Sequence, residues 1–451
     1  MNLVSRLIAL SDSPITNSNA LNNYLPIRGK NNAIEYGSVA GNVLGMLIGR
    51  ELDPKRYNFE KFKDECLEEL GGLLTEEEML EHIEQMYFNN DALNKASPEF
   101  LLLGRKGTET PASKNLSKVF RNFLANAGKC SELKSKANFI EQIFIGVLQN
   151  YLTKPGGKGA NKDKREHPYL PFMAQHFVSD LHFLSSKTEY LLSHFEDFLQ
   201  LYNFLYCSQL ALNIRHWTAG EPKSQPSYFI LDTEKASLER SQMQQYGYAS
   251  LYRSFGAVFP ILSMLDNFNK SGDGGAYPLW AYGQALSAKK GYDADEISTI
   301  LEEYAESFRA KRNIQPREVS DDTPEGHMRL LIHYALDQFE PTRYLANSTR
   351  HEVRDAYQKQ FEKHIAKHFM QVRGRSGRVL IMNQDYLLLL TNLAIGSKRQ
   401  LRFQELLKAF RSRGVYFDKQ SEQALITFFE RVGNVDRMSD SGDAVYVRST
   451  I

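Results

Sequence analysis

His364 and His368 stand four residues apart in RHEVRDAYQKQFEKHIAKHF, a spacing that places two imidazoles on one helical face, where they can hold a metal ion. No third ligand lies nearby, so a solvated helix face is the expected role. His176, Asp180 and His182 form a looser group open to the same objection. KPGGKGANK (154–162) has the glycines and lysine of a phosphate cradle. Its Gly-Lys is followed by Gly159 where a metal-binding hydroxyl is required, and no buried strand precedes it. DNFNKSGDGG (266–275) lacks the alternating oxygen ligands of a calcium loop. SELKSK (131–136) sets Glu132 beside Lys134 without the apolar strand that presents a nuclease site, and no GxSxG nucleophile elbow occurs. The last acidic candidate is GNVDRMSDSGDAVYVRST (433–450), either a catalytic or metal-binding loop or the turn of a hairpin. These motifs name no catalytic residue, no metal ligand and no cofactor.

The elements that must position any site are those of a large folded chain. Its 451 residues are 42% hydrophobic and 24% charged, enough for two or three domains with their own cores. Cys66, Cys130 and Cys207 are far apart and lack CxxC spacing, which predicts a reducing, cytoplasmic setting and no zinc site. The opening MNLVSRLIALSDSP is interrupted by Arg6 and has no small-residue cleavage site, so no secretory signal is expected. The most apolar run, FLQLYNFLYCSQLALNI (198–214), is short for a membrane span. Its Gln200, Asn203, Ser208 and Gln209 are costly in lipid, so it reads as a buried helix.

Helix signals dominate. Thr75 with Glu78, Asp293 with Glu296 and Thr349 with Glu352 each have capping-box spacing. Apolar stripes follow the last two: Ile297, Ile300, Leu301, Tyr304 and Phe308, then Val353, Tyr357, Phe361, Ile365, Phe369 and Val372. Strand signals are sparse before residue 378. Breaks at 154–168 and near 340 divide the chain into an acidic helical region (1–155), a helical middle (168–340) and a basic end (341–451).

The end is the most legible part. RSGRVLIMN contains a short strand, Val379 to Met382. Asn383 caps a helix that stops at Gly396, and KRQLRF is a short extended piece. A second helix buries Leu406, Leu407 and Phe410 and ends at Gly414. A third, capped by Asp418 or Ser421, buries Ala424, Leu425, Phe428 and Phe429 and ends at Gly433. NVDRM and AVYVR form a hairpin around a Ser439–Asp443 turn. Helix, strand, helix, turn, helix, hairpin is the order of a winged helix-turn-helix. The expected fold is therefore mainly α, a multi-helical body with a C-terminal winged helix-turn-helix domain.

Charge is uneven along the chain. From Pro341 onward there are 19 Lys+Arg and 11 Asp+Glu, whereas residues 51–90 carry 4 basic and 12 acidic groups. Within the basic end, 341–413 holds 15 basic and 5 acidic residues, and 418–451 holds 4 and 6. Phosphate contact follows local positive charge. The expected DNA-contacting residues are thus Arg350, Arg354, Lys363, Lys367, Arg373, Arg375, Arg378, Lys398, Arg399, Arg402, Arg411 and Arg413. The acidic third helix and wing suit a partner protein better.

Two runs, GRSGRVLIMNQDYLLLLTNLAIG (374–396) and RGVYFDKQSEQALITFFERVGNVDRMSDSGDAVYVR (413–448), resemble the C-terminal signature of the DptG (DndG) family. HPYLPFMAQHFVSDLHFL (167–184) and FLQLYNFLYCSQLALNI are similar to it as well. Members are accessory subunits of bacterial DNA phosphorothioation-dependent restriction systems. The resemblance implies an ATPase-like and a helicase/nuclease-like partner, together restricting DNA that lacks backbone sulfur, and it supplies no active-site residue. The expectation is a non-catalytic subunit of an anti-phage restriction complex that contacts double-stranded DNA and its partners, with no membrane association. The alternative is a scaffold whose winged helix docks protein alone.

Overall fold

The long apolar run forms a largely buried helix, Thr188–Asn213. In the computed structural model, which describes residues 3–11, 15, 24–27, 32–53, 55–74, 77–89, 92–104, 109–125, 137–154, 166–270, 275–289, 291–319, 321–344, 349–438 and 444–451, the chain is mainly helical with three small sheets. The N-terminal helices are α1 (Leu3–Ile8), α2 (Tyr36–Ile48), α3 (Phe59–Gly71), α4 (Glu77–Glu84), α5 (Leu93–Ala96), α6 (Pro111–Leu124) and α7 (Phe139–Gln149). Two short strands, β1 (Glu51–Leu52) and β2 (Leu152–Thr153), pair antiparallel among them. The middle holds α8 (Pro171–Ser185), α9 (Thr188–Asn213), β3 (Ser227–Leu231), α10 (Ser241–Tyr246), α11 (Tyr248–Phe255), α12 (Val258–Lys270), α13 (Leu279–Ser287), α14 (Ala294–Arg312) and α15 (Pro324–Asp337). The end holds α16 (Arg350–His364), β4 (Met370–Val372), β5 (Arg378–Met382), α17 (Gln384–Ile395), β6 (Gln400–Arg402), α18 (Phe403–Arg411), β7 (Val415–Phe417), α19 (Lys419–Val432), β8 (Val435–Met438) and β9 (Ala444–Arg448).

Helix α9 is buried along almost its whole second half, where Asn203, Tyr206 and Gln209 find partners inside the protein and, among the described residues, the Ser208 hydroxyl does not. Asn203 donates to the Tyr36 hydroxyl at 2.9 Å, and Tyr206 donates to the Tyr24 carbonyl at 2.6 Å. The Gln209 amide both donates to and accepts from the Gln225 backbone at 2.8 Å, aligning the chain that enters β3. Satisfied in this way, polar groups cost little in a core. Among the described residues no helix is long and apolar enough to cross a membrane.

Several expectations need correction. The stripe from Val353 to Val372 is not one helix: α16 stops at His364, a 3-10 turn covers Ala366–His368, and Met370–Val372 pairs antiparallel with β5. The apolar spacing continues because Ile365 and Phe369 stay buried through the turn, while Val372 is largely exposed. Thr349 caps α16 without a side-chain bond, so no capping box forms there. Asp293 does cap α14, accepting from the Asp295 N–H. Strand β3 lies well before residue 378. Its run of SYFIL lacks alternation, being the central strand of a sheet ordered β4-β5-β3-β7 and parallel to both neighbours. That sheet crosses the division expected near 340, and one continuous core reaches from Val4 to Val447. Thr75, Cys130, Glu132, Lys134, the linker 155–165 and the Ser439–Asp443 turn lie outside the described residues.

Candidate nucleic-acid interface

The helices and strands expected between Gln384 and Arg448 are present, with one addition. The Asn383 side chain accepts from the Tyr386 N–H at 2.9 Å and caps α17, and Gly396 ends it with φ 59°. Helix α18 buries Phe403, Leu406, Leu407 and Phe410. Of the two cap candidates it is Asp418 that caps α19, accepting from the Ser421 N–H at 2.9 Å, while Ser421 itself is buried. Gly433, at φ 79°, closes the helix in the left-handed conformation that glycine adopts without strain. Strands β6, β9 and β8 form an antiparallel sheet in that order. The addition is β7: the connection between α18 and α19 is itself a strand, and it pairs with β3 of the body.

Three contacts fasten this connection. Arg413 forms a buried bidentate pair with Asp180 of α8, at 2.6 and 3.0 Å. Gly414 has φ 88°, and a Cβ there would lie 2.3 Å from the Gln209 amide, so only glycine lets the chain pass α9 into β7. At the far end Arg240 grips the Asp418 carboxylate with two N–H groups, donates to Glu234 at 3.0 Å and donates to Ser421 at 2.6 Å. His176 lies beside Arg413. Burial and then the Arg413 charge push its pKa down to about 4, against a hydrogen bond to the Ser412 backbone.

Among the described residues, three of the acidic side chains that weighed against DNA are paired. Asp418 is held by Arg240, and Glu422 is held by Arg411 at 2.9 Å and Lys419 at 2.7 Å. Asp436 pairs with Arg448 at 3.2 Å. The outward face of α19 then consists of Lys419, Gln420, Gln423, Thr427, Glu430 and Arg431. Beside it, the outer face of the β6-β9-β8 sheet carries Arg402, Tyr446 and Arg448, with Arg402 donating to the Tyr446 hydroxyl at 3.0 Å.

The twelve expected basic residues separate into groups. Lys398, Arg399 and Arg402 are exposed together along the α17–β6 connection and β6. Arg375 and Arg378 are exposed on the β4–β5 turn, where Arg378 faces Glu362 at 3.4 Å, and Arg373 donates to the Asp232 carbonyl. Lys363 and Lys367 are exposed around the end of α16. Arg350 donates to the Arg312 carbonyl at 2.6 Å, Arg354 pairs with Glu340 and Asp355, and Arg411 pairs with Glu422. Arg413 does not belong to the surface set, since its side chain is 7% exposed and committed to Asp180.

Sequence reasoning missed Gln420, Gln423 and Thr427. Their signal was the three- and four-residue spacing of uncharged polar side chains opposite the apolar stripe. Arg448 and Tyr446 were missed because only the sheet register sets them beside Arg402.

Among the described residues no three His, Cys, Asp or Glu side chains gather as metal ligands. His364 ends α16 and His368 sits on the 3-10 turn, so they do not share one helix. Asp180 is taken by Arg413. Burial pushes the Cys66 and Cys207 thiols up, away from thiolate reactivity. No family model matches the chain, and no curated protein matches it significantly.

Proposed function

We propose that this chain is a non-catalytic, DNA-contacting subunit of a bacterial phosphorothioation-dependent restriction complex, with Gln384–Arg448 acting as a winged helix-turn-helix. The observation that carries the DNA contact is the β6-β9-β8 sheet flanking an α19 whose Asp418 and Glu422 carboxylates are already paired. In this fold the helix after the turn enters the major groove. Gln420 and Gln423 offer amides suited to adenine edges, and Lys398, Arg399 and Arg402 supply charge for phosphates. Assignment to a restriction complex, beside ATPase-like and helicase/nuclease-like partners, rests on the family resemblance of the sequence.

The test is fluorescence anisotropy of the purified chain with a labelled random-sequence duplex across a salt series. Binding should weaken steeply with salt, and the K398E/R399E/R402E variant should lower the logarithmic salt slope by about 0.9 for each phosphate it no longer neutralises. An unchanged slope and affinity would refute the DNA contact. Co-purification with the two partner subunits, combined with no retention of duplex by the assembly at low salt, selects the protein-docking scaffold instead.

A further inference from the structure

The β4-β5-β3-β7 sheet has two unlike faces. Phe229, Leu231, Val415 and Phe417 point into the main core. On the other face Ile230 and Val379 pack under Met243 of α10. Beyond α10 that face carries Tyr228 and Tyr416, directly opposite each other on neighbouring strands, with ring centroids 5.7 Å apart. Tyr246 of α10 continues the row, 6.0 Å from Tyr228, and is 38% exposed. Tyr228 and Tyr416 are partly exposed.

Guanidinium groups lie beside this row and in a groove lined in part by α10. Next to Tyr228, Arg411 is 41% exposed and paired with Glu422, while nearby Asp418 is held by Arg240. On the other side of α10 is a groove of about 470 Å³ lined by Gln244, Tyr248, Tyr252, Arg253 and Arg378. The Arg253 Nε donates to the Ala249 carbonyl of its own helix, and Arg378 is 53% exposed. The carboxylate facing the groove, Glu362, is shared between Tyr248 and Arg378.

We propose that the Tyr246–Tyr228–Tyr416 row is a stacking platform for unpaired bases of single-stranded DNA, with Arg411, Arg253 and Arg378 taking the flanking phosphates. Partly exposed aromatic rings in series beside positive charge are the elements of sequence-tolerant single-strand binding. Bases inside a duplex offer edges and not ring faces, so this site is distinct from the duplex contact proposed above.

The test compares labelled oligothymidylate with an abasic backbone of the same length and charge, using the full chain. Wild type should prefer oligothymidylate, and Tyr246→Ala and Tyr416→Ala should each lower that affinity about fivefold or more. Tyr416→Phe should keep it, because stacking needs the ring and not the hydroxyl. The K398E/R399E/R402E variant should leave the preference unchanged, separating this site from the duplex reading. Equal binding of oligothymidylate and abasic backbone overturns the proposal, as does full affinity in Tyr246→Ala; because Tyr246 is exposed on α10, a loss of affinity in that variant does not trace to misfolding.

Discussion

Replacing Arg240 by alanine removes the cation that holds the start of α19. The guanidinium is 5% exposed and its partners Asp418 and Glu234 are 13% and 8% exposed, so the variant leaves two buried carboxylates without a counter-charge. Breaking a buried pair from one side costs about 3–5 kcal/mol. At roughly 2.1 cal/mol/K of unfolding entropy per residue, 451 residues unfolding as one unit should melt about 3–5 °C lower. The pH dependence has a defined sign. Burial alone would raise the Asp418 pKa, but Arg240 and the Ser421 N–H outweigh it and hold it below its ordinary value. A depressed carboxyl contributes stability above its unfolded pKa of about 3.9 and loses it as pH falls through the folded value. The deficit of Arg240→Ala should therefore be full near neutral pH and shrink below about pH 3.9. Thermal melts by circular dichroism across that range, with an Arg240→Ala/Asp418→Asn cycle, measure both quantities. A deficit under about 1 kcal/mol, or strict additivity in the cycle, would refute the argument that this network fastens α19.

Three further outcomes concern the same region. Arg413→Met should destabilise by about 3–5 kcal/mol through the orphaned Asp180, yet leave the salt slope of duplex binding unchanged in the folded fraction. Gly414→Ala should cost about 1–3 kcal/mol in denaturant titrations, since it is strained at positive φ and crowds Gln209. His176 is held neutral to about pH 4 in the fold, whereas the unfolded chain binds its proton near pH 6.5, so acid costs stability between the two values, by about 3 kcal/mol. His176→Gln should flatten that part of the stability profile, and an unchanged slope would exclude His176 as its source.

Sequence alone determined the helical character, the buried run in α9, and, from Asn383 to Arg448, the stops and order of the helices and of the hairpin, though not β7 or the choice between Asp418 and Ser421 as cap. These are local properties: apolar spacing, an Asn or Asp before a helix, a glycine after it. Tertiary structure decided the rest. The strand β3 carries an unbroken apolar run that local periodicity cannot classify, and β7 becomes a strand only because β3 lies beside it. Whether an arginine meets solvent or a buried carboxylate is equally a matter of distant partners. Arg413 and Asp180 are 233 residues apart in sequence, and Arg240 and Asp418 are 178 apart. Counting charges along the chain therefore made the last helix look hostile to DNA, while in the folded chain Asp418 and Glu422 are paired and Gln420, Gln423 and Thr427 share the outward face with Lys419, Glu430 and Arg431, because ion pairing is set by distance in space and not by order in the polymer.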